Sequence, residues 1–130
     1  MSVVRIPFQV TGWEPEPAPV GEDGATAIGR GILRKTFTGP LEGTSTVAMN
    51  SVAVAGAPAG YVAVELVTGA LEGRSGSFVL QHSALVEGGA APTGVVVPGT
   101  GTGELTGLRG SMTIAHDDGG ATLVLDYELP

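Results

Sequence analysis

No stretch of ten or more residues in this chain holds apolar side chains at helical spacing without meeting a Gly, a Pro or a β-branched run. Short runs of Val, Ile, Thr, Phe and Tyr are written instead, broken by turns rich in glycine, of which there are 22 in 130 residues. Runs of this kind form strands in antiparallel order. The chain must therefore bury itself as sheet. A hydrophobic share of 42% weighs against the disorder that so much glycine would otherwise suggest. The length fits one domain, with a core that needs neither disulfides nor metal.

The first run, Val3 to Thr11, alternates Ile6, Phe8 and Val10 with Arg5, Gln9 and Thr11, and Pro7 suggests an edge or a barrel opening. Pro15, Pro17 and Pro19 predict an extended loop from Trp13 onward, continuing to residue 25. Further strands are expected over Thr26–Thr38, Thr44–Val54, Tyr61–Leu71, Ser75–Glu87, Thr93–Val97, Gly110–His116 and Ala121–Leu129. About eight strands with short connections close a barrel with room for a small ligand; a two-sheet sandwich is the alternative. The form T-G-x-L-x-G recurs over residues 38–43, 68–73 and 102–107. It reads as a bulged turn in which glycine supplies a positive φ and leucine plugs the barrel end.

Charge and composition exclude several classes of function. The formal net charge is −7, Lys35 is the only lysine, and the arginines are scattered singly. A phosphate backbone needs clustered cations, so no nucleic acid is expected as a partner, nor an anionic membrane surface. Without cysteine there is no disulfide, thiolate zinc site or cysteine nucleophile. His82 and His116 lie far apart in sequence, and Asp117-Asp118 reads as a hairpin tip, so no metal site is expected. The Gly-rich segment Gly99–Gly103 lacks the helix of a phosphate loop. No secretory leader or membrane span is read, and the expected compartment is the cytoplasm.

The most informative segment is Tyr61–Glu87. With Glu72 and Gly73 as its two-residue turn, Leu71 faces Arg74, Val67 faces Phe78, Glu65 faces Leu80 and Ala63 faces His82. Alternation then places Tyr61, Ala63, Glu65, Val67, Phe78, Leu80 and His82 on one face. Glu65 and His82 are diagonal neighbours within reach of one another, a candidate catalytic acid–base pair among apolar side chains. The opposite face, with Val62, Val64, Leu66 and Val79, is no less apolar, so either face could line the interior. Tyr61, Phe78 and Leu80 are candidate ligand contacts. Arg34, with Arg30, either anchors an anion inside or lies along the outside. Trp13 either lids the mouth or anchors a strand end. Met49 and Met112 are core fillers, or in the case of Met49 part of an adaptable apolar pocket.

Residues 8–14 (FQVTGWE), 35–39 (KTFTG), 73–82 (GRSGSFVLQH) and 97–105 (VPGTGTGEL) together resemble the DUF3224 family, in order and over nearly the whole chain. The resemblance implies an all-β, single antiparallel eight-stranded barrel of the allene-oxide-cyclase-like, calycin-like kind, and an oligomer such as a homodimer or homotrimer. It carries over no catalytic motif. One departure stands at Gly94-Val95, where the family pattern leads one to expect a bulky aromatic; a smaller side chain there would reshape a cavity.

Two functions follow as expectations. The first is a cofactor-free cyclase or isomerase that folds a flexible apolar substrate in the cavity, with orientation supplying most of the catalysis. The second is a non-catalytic carrier of a small hydrophobic molecule.

Overall fold

The computed structural model describes residues 2–16 and 25–130. Eight antiparallel strands pair in sequence order and the eighth returns to the first, so the sheet is a closed barrel. They are β1 (Ser2–Glu16), β2 (Thr26–Phe37), β3 (Leu41–Val54), β4 (Ala57–Leu71), β5 (Arg74–Leu85), β6 (Thr93–Val96), β7 (Arg109–Asp117) and β8 (Gly120–Glu128). The barrel, not the sandwich, is the outcome. Among the described residues the only helix is a single 3₁₀ turn, Gly103–Leu105, and no helix is long and apolar enough to cross a membrane.

The β4–β5 hairpin has the register its turn predicts, with Leu71 opposite Arg74, Glu65 opposite Leu80 and Ala63 opposite His82. Both turn residues take positive φ, 47° at Glu72 and 85° at Gly73, as a primed hairpin turn requires. The face carrying Glu65 and His82 is the inner one: Ala63, Glu65, Val67, Phe78, Leu80 and His82 are all buried.

One end of the barrel is sealed. The leucines of the three T-G-x-L-x-G segments, Leu41, Leu71 and Leu105, are buried there with Leu108. Strand β6 is short, so the wall beside lower β5 is completed by the 97–108 segment. The Thr100 and Thr102 hydroxyl oxygens accept the N–H groups of Val79 and Ser77, which satisfies backbone donors that a strand would otherwise have to meet. Ile6, Phe37, Phe78, Leu123 and Leu125 fill the space above this plug as a dry core.

The other end is open. Pairing of β1 with β8 stops at Phe8 and Ala121, while β1 runs on along β2 to Glu16 opposite Arg30. Residues 13–16 are thus strand and not the start of a loop. Pro15 is tolerated because upper β1 has no strand on its second edge. Residues 17–24, the rest of the expected loop, lie outside the described residues. A register shift between Val10 and Gly12 exchanges the strand's faces and brings Trp13 onto the inner surface, where its ring covers Gly31; a Cβ on Gly31 would lie 2.7 Å from Trp13 Cζ3.

Candidate functional site

Between the dry core and the open end lies a chain of polar side chains. Glu65 is 1% exposed and His82 5%. His82 Nε2 is 2.8 Å from Glu65 Oε1, Lys35 Nζ donates to the same oxygen at 3.2 Å, and Ser45 Oγ donates to Glu65 Oε2 at 2.6 Å. On the far side of the imidazole, Tyr61 OH is 2.8 Å from His82 Nδ1, and the two rings meet edge to face. The Lys35 ammonium also sits over the Phe8 ring, 4.4 Å from its centroid, which adds a cation–π attraction to the ion pair.

Strand register explains the convergence. Leu33, Val47, Glu65, Leu80 and Val96 form one rung across β2 to β6. Lys35 and Ser45 sit directly opposite each other in the rung below. Glu65 is the diagonal neighbour of Ser45, the longer Lys35 side chain reaches it from two strands away, and His82 lies one rung above Leu80 on the same face. All are inward positions by simple alternation.

Burial would push the Glu65 carboxyl up, but the His82 hydrogen bond, the Lys35 charge and the Ser45 hydrogen bond outweigh it and hold the group below its ordinary value of 4.5. Glu65 is thus a carboxylate whose charge Lys35 neutralises. A carboxylate only accepts, so a proton on Nε2 faces Glu65, and in the neutral imidazole Nδ1 accepts from the Tyr61 hydroxyl. Burial, with the Glu65 charge nearby, pushes the Tyr61 phenol up to about 12, so the phenol keeps its proton.

Tyr61 also lines a cavity of about 540 Å³ at the open end. Met49, Ala53, Pro58, Leu85, Val86 and Pro92 supply its apolar walls, and Ser51 is its second hydroxyl. No charged side chain lines it among the described residues. Its volume is in the range of small-molecule sites.

The expected residues divide clearly. Glu65, His82 and Tyr61 come together, and Met49 is at the cavity. Phe78 and Leu80 are fully buried, Leu80 in the Glu65 rung and Phe78 one rung deeper, and neither lines the cavity, because a shared face says nothing of depth along it. Arg34 takes the outer of its two expected places, 3.6 Å from Glu14 and bonded to Thr46, so it is not a ligand contact inside the barrel. Trp13 is half-exposed on the inner face at the mouth, one strand away from Met49, which pairs with Gly31. Val95 points outward and lines a groove on the outside, so the small residue there does not shape the interior. Gly94 is the consequential neighbour: a Cβ on it would lie 2.6 Å from His82 Cβ. Lys35 and Ser45 were missed, and only the β2–β3 register could have found them. Among the described residues no three His, Cys, Asp or Glu side chains cluster as metal ligands would.

The molecule is thus a small closed β-barrel with a charge-balanced proton network beneath an apolar mouth. The chain belongs to the DUF3224 family, whose model, described as "Protein of unknown function", matches residues 5–128. A crystal structure of a DUF3224 protein of unknown function from Shewanella oneidensis MR-1 is 41% identical, with a TM-score of 0.90 over 100% of this chain and 98% of that one. A pyocyanin demethylase structure aligns over 98% of this chain and 100% of its own at 12% identity and a TM-score of 0.39, too distant a likeness to bear on fold or chemistry. No curated protein matches the chain.

Proposed function

We propose that the mouth cavity binds a small, largely apolar molecule and that Tyr61, backed by His82 and Glu65, moves a proton on it, as an isomerase or cyclase without a cofactor. One observation carries this reading: Tyr61 both lines the cavity and hydrogen-bonds the buried His82. As a substrate C–H bond breaks, its proton passes to Tyr61 Oη while the phenol's own proton passes to His82 Nδ1. The imidazolium so formed faces the Glu65 carboxylate, and the electron pair stays on the substrate. Return of the proton to a different substrate atom completes an isomerisation or ring closure with no net proton consumed. The phenol's high pKa favours this coupled movement over a free phenolate.

The test is turnover of β,γ-unsaturated ketones, followed by the absorbance of the conjugated product. Tyr61→Phe and His82→Ala are expected to lose about 10²–10⁴-fold in turnover and to keep ligand binding. Binding by the wild type with no turnover across the panel would instead favour the carrier. The cytoplasm is the compartment proposed with this reading. A homodimer formed through the outer faces of β3–β6 belongs to the same proposal, because four adjacent strands present no charged side chain there over residues 44–54, 62–70, 75–85 and 93–95.

A further inference from the structure

The cavity holds two hydroxyls, and only one is engaged. Tyr61 is committed to His82. Ser51, its direct partner across the β3–β4 ladder, has no hydrogen bond from its side chain among the described residues. The two are on the same face of adjacent strands, so their Cβ atoms are about 4.5–5.5 Å apart. Opposite Ser51 on β2 is Gly29, where a Cβ would lie 2.7 Å from Ser51 Oγ. A side chain at 29 would crowd the hydroxyl; glycine leaves it free.

The rest of the lining is apolar and uncharged among the described residues. The nearest buried charges, Lys35 and Glu65, neutralise each other. A charged ligand would lose its hydration with nothing opposite to compensate it, which costs far more than burying a neutral polar group that finds one donor.

Resting on the proton-transfer reading, we infer that the cavity takes an uncharged ketone or enone. Its carbonyl oxygen accepts from Ser51 Oγ–H and its acidic α-C–H faces Tyr61. When that C–H bond breaks, the electron pair moves onto the carbonyl oxygen as an enolate. The Ser51 donor then bonds the enolate oxygen more strongly than it bonded the ketone. The proton follows the Tyr61–His82 path and returns to the α carbon or, in an enone, to the γ carbon. Ser51 is thereby the specificity-determining donor for the oxygen end of the substrate.

The test uses purified full-length protein with 2-decalone and decalin-2-carboxylate, a ketone and an anion of one skeleton. Binding is read by calorimetry, and exchange of the ketone's α protons in D₂O by NMR. The ketone is expected to bind at least ten times more tightly than the carboxylate. Ser51→Ala should weaken ketone binding about two- to ten-fold but slow exchange about 10²-fold, a split that a merely structural role would not produce. Gly29→Ala, which keeps the hydroxyl and crowds it, should shift both in the same direction. Carboxylate binding as tight as ketone binding, absence of ketone binding, or wild-type behaviour of Ser51→Ala overturns the inference. Ser51-dependent ketone binding without exchange, or exchange that survives in Tyr61→Phe, overturns the proton-transfer reading and leaves the ketone pocket standing.

Discussion

Glu65 is the residue on which the site turns. It holds a negative charge out of water because three donors from three strands converge on its two oxygens. Breaking such a pair from one side leaves a buried ammonium unmatched, so Glu65→Gln should destabilise the protein by about 3–5 kcal/mol in urea denaturation at pH 7. The carboxyl titrates below 4.5 in the folded chain, so its contribution is complete above the unfolded carboxylate pKa and is lost as pH falls through the folded one. The gap between wild type and Glu65→Gln should therefore stay constant above about pH 5 and close in more acidic solution. A gap that widened on acidification would contradict the assignment. Glu65 and His82 were legible as a pair because a two-residue turn sets their register and alternation sets their face. Lys35 was not, because nothing local predicts a buried lysine; its place depends on β2 lying two strands away from Glu65 and on the register of two ladders.

At the scale of elements, the two halves of the barrel do different work. The plug of Leu41, Leu71, Leu105 and Leu108 is remote from Tyr61, so Leu105→Ala should cost about 2–5 kcal/mol of stability and leave ketone affinity unchanged in the same calorimetric assay. Strand β6 is the opposite case. Gly94 lets it press against the His82 backbone and Cβ, with an added Cβ lying 2.7 Å from His82 Cα. Gly94→Ala should push β6 away and misplace the imidazole, lowering turnover by more than it lowers stability; equal and small losses would show that β6 does not position His82. Sequence pattern gave the strands and the plugging leucines well, since alternation and glycine turns are local. It failed at Trp13–Glu16, where Pro15, with Pro17 and Pro19 beyond it, reads as a loop. What decides there is that upper β1 needs hydrogen bonds on one edge only. It also could not separate Phe78 and Leu80 from Tyr61, because depth along a barrel is set by where neighbouring strands end.

At the scale of the whole molecule, the outside of the barrel is uneven. Val62, Val64, Leu66 and Val95 are about half-exposed in one region, on strands whose outer faces carry no charge, while the chain as a whole carries −7. Copies of a chain this acidic repel one another over most orientations. The uncharged face is the exception, and a surface patch related to its copy by a half-turn meets itself. A contiguous apolar surface of this kind is better covered than left in water. A second copy is the partner proposed for it, since the face offers no charge for an ionic one to recognise. Light scattering at micromolar concentration should give twice the mass of one chain, and Val64→Glu should return it to a single chain with an unchanged circular-dichroism spectrum. Because Val64 points away from the cavity, the same substitution should leave ketone exchange intact. A wild-type protein of single-chain mass would remove the dimer, and loss of exchange in the Val64→Glu monomer would mean that the partner copy supports the mouth.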